Sequence, residues 1–189
     1  MVNYAEDADF FGRARKKRYR TPEEAAAAKK RRNERRSESD WESLARDVVY
    51  RQLGMAERSV KQLRDSLSRR DVPPEIAHTV LEKFVAAGLV DDRRFAQTYA
   101  RAAKEAKRTS RRKLAADLAK KGISREDIEA VTDDFSPEDE LSAARAITEK
   151  KMRSLRGADR ETVKRRVYGA LARRGFSYEI IRRAMEEIE

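Results

Sequence analysis

The 189-residue chain is 39% hydrophobic and 42% charged, holds no cysteine and carries a net charge of +11. That balance argues against one large globular core and for a thin, mostly helical body, and it leaves no disulfide and no cysteine-ligated metal site. No stretch approaches the about 20 apolar residues that span a bilayer, and no apolar signal core opens the chain, so a soluble cytoplasmic protein is expected.

Residues 1–40 read as a basic, disordered tail. Arg13 to Arg20 holds six basic residues in eight. Thr21-Pro22-Glu23-Glu24 then offers a cap, a proline at the first helical position and acids in the first turn. The four alanines and Lys29-Lys30-Arg31-Arg32 that follow supply no large apolar residue to dock, and an isolated helix of that length is marginal in water. The tail is therefore expected to be mobile and to order on nucleic acid.

A first unit is expected over 41–90. Trp41, Leu44, Ala45, Val48, Val49 and Leu53 form one helical stripe that ends near Gly54. Ser59 with Gln62 makes a capping box for a second helix, whose stripe is Val60, Leu63 and Leu67. Pro74 suits the first position of a third helix, which carries Ile76, Val80, Leu81, Phe84 and Val85 and closes at Gly88. His78 is the only histidine and falls off that stripe. With no second histidine or cysteine near it, it is expected to have neither a metal nor a catalytic role.

A second unit is expected over 91–136. Asp91 reads as an N-cap, Val90 as packing on Phe95 in a hydrophobic staple, and Asp92 as favourable first-turn charge. Capping accounts for the paired aspartates with less than a metal site would require. The first helix carries Phe95, Tyr99, Ala102 and Ala103. The next starts near Thr109, with Leu114 and Leu118 beneath Arg108, Arg111, Arg112 and Lys113. The third holds Ile128 and Val131 and ends around Phe135.

A third unit is expected over 137–189. Ser136-Pro137-Glu138-Asp139 opens a helix with Leu141, Ala144 and Ile147 that turns basic at Lys150-Lys151 and Arg153. Gly157-Ala158-Asp159 breaks the chain. Val163, Val167 and Leu171 then line a helix with Lys164, Arg165 and Arg166 outward, and Ile180, Ile181, Ala184, Met185 and Ile188 fall on the last.

A six-residue phrase ties the units together. It reads Leu67-Ser68-Arg69-Arg70-Asp71-Val72, Leu118-Ala119-Lys120-Lys121-Gly122-Ile123 and Leu171-Ala172-Arg173-Arg174-Gly175-Phe176, at spacings of 51 and 53 residues. Cations suit the last turn of a helix, and glycine just past it adopts the left-handed conformation that closes the turn. Asp71 tolerates that conformation less well than glycine, so its elbow is expected to be the weakest. Each phrase is the elbow of a helical hairpin, and the fold expected is an all-α, elongated tandem array of three three-helix repeats, with curvature left open. A unit of this size has few large apolar side chains to set against its chain entropy, so neighbouring units are expected to share apolar surface.

Residues 1–40 carry 12 basic against 8 acidic groups, 41–90 carry 8 against 7, 91–136 carry 12 against 9 and 137–189 carry 13 against 10. The excess lies in the tail and in the second and third repeats, and it points to an acidic or polyanionic partner. The candidate partner-binding residues are Arg111, Arg112, Lys113, Lys120, Lys121, Lys164, Arg165, Arg166, Arg173 and Arg174. The competing account of each elbow pair is helix capping, which needs only one cation and contributes about 0.3–1 kcal/mol.

The chain resembles the RecX family, bacterial regulators of the RecA recombinase. The residues that carry the likeness are Arg58-Ser59 with Leu63 and Leu67, the run Gly88-Leu89-Val90-Asp91-Asp92-Arg93-Arg94-Phe95-Ala96, then Lys121-Gly122-Ile123 and Arg173-Arg174-Gly175-Phe176-Ser177. It spans about residues 41–189, and Asp71 stands where the family commonly has glycine. The resemblance implies a non-enzymatic protein, without cofactor, that lodges along the RecA–DNA filament and lowers its ATP hydrolysis, growth and strand exchange. Outer faces do not demand a dimer, so a monomer is expected.

Two other classes compete. A direct DNA binder would use the same cations on phosphates, non-specifically and salt-sensitively, because no recognition helix with Asn or Gln beside Arg stands out. An enzyme is not expected: the chain has no cysteine nucleophile, no glycine-rich phosphate loop and no second histidine.

Overall fold

The computed structural model describes residues 21–106 and 109–186. The chain divides at Ser37/Glu38 into two parts. Before the division, α1 spans Pro22–Glu34. Its start is the one anticipated: Thr21 Oγ1 accepts from the Glu24 N–H at 3.2 Å, and the Glu24 carboxylate accepts from the Thr21 N–H at 3.1 Å. No residue of α1 is buried, as its alanines and cations require. The basic run Arg13–Arg20 lies outside the described residues, as do Lys107, Arg108 and Ile188.

From Glu38 onward the described residues form nine helices and no strand. They are α2 Glu38–Met55, α3 Val60–Ser68, α4 Pro74–Ala86, α5 Asp92–Glu105, α6 Arg111–Lys120, α7 Arg125–Asp133, α8 Pro137–Ser154, α9 Arg160–Ala172 and α10 Tyr178–Met185. The helices pack in consecutive threes: α2 with α3 and α4, α5 with α6 and α7, α8 with α9 and α10. The result is an all-α tandem array of three-helix units. Polar caps set nearly every start. Ser59, Asp91, Ser110, Ser124, Ser136, Asp159 and Ser177 each accept from a backbone N–H two or three residues into the helix they precede. Helix α2 departs from expectation at both ends. It begins three residues earlier, with Glu38 and Asp40 in its first turn, and it runs through Gly54 to Met55. Gly54 is not in the left-handed region, so it does not close the helix.

The three elbows share one backbone geometry. Asp71, Gly122 and Gly175 all have positive φ, at 61°, 84° and 79°. In each, the N–H of that residue donates to the carbonyl three residues back, at 2.9, 3.0 and 2.9 Å. The N–H of the next residue donates to the leucine that opens the phrase: Val72 to Leu67, Ile123 to Leu118, Phe176 to Leu171. These six side chains are all buried. This is the paired closure that satisfies the last carbonyls of a helix.

The core corrects one expectation. Buried apolar residues fall into three separate clusters, one in each trio of helices, where neighbouring units were expected to share apolar surface. Val90 joins the first cluster and Phe95 the second, so the pair expected as a staple is divided between two cores. The physical reason lies at the unit boundaries, where the groups brought together are helix-end amides and carbonyls that need hydrogen bonds more than apolar cover.

Candidate functional site

The boundaries between units are hydrogen-bonded joints built twice over. At the first, Ser59 Oγ donates to the Lys121 carbonyl at 2.6 Å, and the Val60 N–H donates to Asp92 Oδ1 at 2.8 Å. At the second, Ser110 Oγ donates to the Arg174 carbonyl at 2.7 Å, and the Arg111 N–H donates to Glu140 Oε1 at 2.8 Å. The same serine oxygens also accept from Gln62 and Lys113 N–H groups. A hydroxyl has one proton to give and two lone pairs, so serine can cap its own helix and hold the next unit's elbow together. Both serines are fully buried.

Glycine at the internal elbows follows from the same contact. A Cβ on Gly122 would sit 2.6 Å from Lys61 Cβ, and one on Gly175 would sit 2.9 Å from Ser110 Oγ. At Gly88 and Gly157 a Cβ would meet nothing within 4 Å. Positive φ alone explains those two glycines; the joint glycines answer to both φ and space.

These joints gather cations. Lys61, Lys120 and Lys121 meet at the first, where Lys61 Nζ donates to the Lys120 carbonyl at 2.8 Å. Arg112, Arg173 and Arg174 occupy the matching positions at the second, with Arg112 Nε 3.4 Å from where a Gly175 Cβ would stand. Within each elbow pair the two members do different work. The second member makes a contact within its own unit, although Arg174 remains exposed. Arg70 and Arg174 donate to the carbonyls of Ser66 and Ala170 at 3.1 and 2.9 Å, four residues back on their own helices. Lys121 Nζ lies 5.1 Å from the Tyr99 ring centroid and 6.0 Å from that of Phe95. The first member, Arg69, Lys120 or Arg173, is exposed.

The remaining candidates divide similarly. Arg111 pairs with Asp133 and Lys113 with Asp117, so both have local carboxylates. Lys164 is half-buried, whereas Arg165 and Arg166 are exposed on the outer face of α9. Arg112, Lys120, Arg166 and Arg173 reach solvent with no ion pair among the described residues. Three contributors escape the pattern-based reading. Lys61 shows only as the counterpart of Arg112, 51 residues earlier in the same register. Asp92 caps α3 across the boundary as well as adding charge to its own first turn. Lys104 clamps the second boundary by donating to the Asp134 carbonyl at 3.1 Å and pairing with Asp139 at 2.6 Å.

The joint carboxyls differ in their titration. Burial pushes Asp92 up, assisted by Asp127 and Asp91, while the Val60 N–H and Arg64 pull the other way. The bond from Lys104 holds Asp139 below the ordinary carboxylate range. Among the described residues no group of three or more His, Cys, Asp or Glu side chains is placed to hold a metal ion. His78 lies exposed beside Glu82, 3.2 Å away. No helix among them is long and apolar enough to cross a membrane.

Models of RecX domains match all three units: the first three-helix domain at residues 45–84, the second at 91–131 and the third at 138–185. The chain is 36% identical over 146 residues to the regulatory protein RecX of Thermobifida fusca (strain YX), covering 75% of this chain and 79% of that one. The chain belongs to the RecX family. A second relative, the regulatory protein RecX of Streptomyces lividans, is 35% identical over 147 residues, 76% of this chain and 78% of its own length. RecX from Lactobacillus salivarius has the same fold in its crystal structure, with a TM-score of 0.62 at 20% identity, over 79% of this chain and 97% of that one. A further regulatory protein RecX gives a TM-score of 0.66 at 22% identity, over 90% and 79%. The family to which the chain belongs is thus one of regulatory proteins, and its name is not that of an enzyme.

Proposed function

We propose that this chain is a non-enzymatic regulator that binds RecA and the RecA–DNA filament and restrains its ATPase, growth and strand exchange. The observation that carries the reading is the match of all three units, in order, to the domains of one regulatory family. The named partner rests on the family resemblance. The residues assigned to it are the exposed cations of the second and third units: Arg112 and Lys120 at the joints, Arg165 and Arg166 on α9, and Arg173 at the last elbow. Lys121, Arg174, Arg111 and Lys113 support that surface through their internal contacts. Such a protein acts as a cytoplasmic monomer, and the repeated joint makes its three units one continuous body that can engage more than one subunit of a polymer.

The test is RecA ATP hydrolysis on single-stranded DNA. Added protein is expected to lower it, and reversing Lys164, Arg165 and Arg166 together to Glu is expected to weaken that suppression. Undiminished suppression removes the α9 face from the surface. ATP hydrolysis unaffected by the parent chain overturns the reading itself.

A further inference from the structure

Between the C-terminal halves of α8 and α9, beside Ala106 at the end of α5, lies a cleft of about 750 Å³. Five cations line it: Lys150, Lys151 and Arg153 from α8, and Arg173 and Arg174 from the last elbow. Among the described residues no carboxylate lines it, unlike the neighbouring clefts that contain Asp134 or Glu138 and Glu149. None of the five has an ion pair among the described residues. The helix ends explain part of this charge, because the last turns of α8 and α9 each carry about half a negative charge. Five cations exceed what two such ends neutralise.

We infer that this cleft holds the phosphodiester backbone of a nucleic-acid strand. Its charged wall offers hydrogen-bond donors only. The hydroxyl of Ser154, the one other polar side chain among the described lining, gives its proton to the Lys151 carbonyl at 2.7 Å and keeps only its oxygen as a weak, neutral acceptor. A phosphodiester presents acceptors only and so complements that wall. An acidic peptide also carries backbone N–H groups, and for these the described lining offers one side-chain acceptor, the Ser154 oxygen, against five cations. Among the described residues the rest of the lining is alanine and Ile147, with no aromatic ring on which a base could stack. The cleft therefore tracks backbone without reading sequence. This site goes beyond the RecA reading, since it would hold a bare strand as well.

The test is a titration of dye-labelled oligothymidylate with the full chain at several KCl concentrations. Replacing Lys150, Lys151 and Arg153 with Gln is expected to flatten the dependence of log affinity on log salt by about 2, because three phosphates of a single strand are then no longer neutralised. Replacing Arg46, Arg51 and Lys83 with Gln removes the same charge from the first unit and is expected to leave the slope unchanged. Equal flattening by both variants means diffuse attraction and overturns the site. Ala146→Glu adds a carboxylate to the cleft without removing a cation, and it is expected to weaken binding at low salt; unchanged binding overturns the site. Poly-glutamate that displaces the strand as well as unlabelled oligothymidylate does would also overturn it, in favour of an acidic protein segment. These results are independent of RecA ATP hydrolysis, so the two readings fail separately.

Discussion

The elbow at Asp71 and the elbows at Gly122 and Gly175 have the same backbone and different neighbours. All three close with positive φ and the same two hydrogen bonds. At the two glycine elbows a serine from the preceding unit is bonded to a carbonyl. At the other side of the joint the pattern repeats. Ser59 and Ser110 each cap a helix and donate across a boundary, whereas the matching residue of the third unit is Asp159. An ionised aspartate has no proton to donate, and the Thr162 N–H it accepts holds its carboxyl below the ordinary range. The cation itself persists, because Arg165 stands 53 residues beyond Arg112, six before Leu171. The capping side chains thus differ between the two joint helices and α9, while the fold of the unit stays the same. The lesson is that a repeat's backbone and its interface are specified by separate residues.

The largest expected effect comes from adding one carbon at a joint. Gly122→Ala is expected to destabilise by roughly 2–5 kcal/mol, through left-handed strain plus a Cβ 2.6 Å from Lys61 Cβ. Gly88→Ala, where space is open, should cost about 1–2 kcal/mol from strain alone. Equal losses in urea denaturation would mean that the joint glycine answers to φ only and not to its neighbour.

Removing a joint hydroxyl comes next. Ser59→Ala loses a cap, worth about 0.5–2 kcal/mol, and a bond across the boundary, worth about 0.5–1.5 kcal/mol. Ser177→Ala loses a cap at a site with no boundary bond among the described residues. The difference between the two in chemical denaturation should be about 1 kcal/mol, and its absence would show the boundary bond to be dispensable.

The smallest effect is a pH dependence. With Asp92 raised in the folded chain, the folded state holds its proton more tightly than the unfolded state does. The stability this adds is fully present below the ordinary value of about 3.9 and is lost as pH rises through the folded value. Asp92→Asn keeps an oxygen for the Val60 N–H and has no proton to lose. Across that window it should gain stability relative to the parent as pH rises, read from urea midpoints at each pH. A gap that stays constant with pH would show Asp92 to be ordinary.

Much of the fold was legible because it is local. The Ser59–Gln62 capping box, the Ser136-Pro137 start and the three elbows depend on residues within six positions of one another. The joints were not legible, because Ser59 and Lys121 are 62 residues apart and a serine already explained as a cap gives no sign of a second bond. Separate cores were missed for a related reason: apolar stripes show that a helix has a buried face and not whose core receives it, as Val90 illustrates. Among the cations, Lys120 and Lys121 are alike as letters. Their difference rests on Tyr99 and Phe95 lying beneath one and not the other. Lys150, Lys151 and Arg153 read as the basic end of a helix, and only the packing of α9 beside them makes a cleft.

The most direct measurement is a paired titration of the full chain against RecA-coated single-stranded DNA and against the same DNA bare, at one salt concentration. The account predicts clearly tighter binding to the coated strand. Equal affinity for both would contradict it and leave a protein that binds DNA alone.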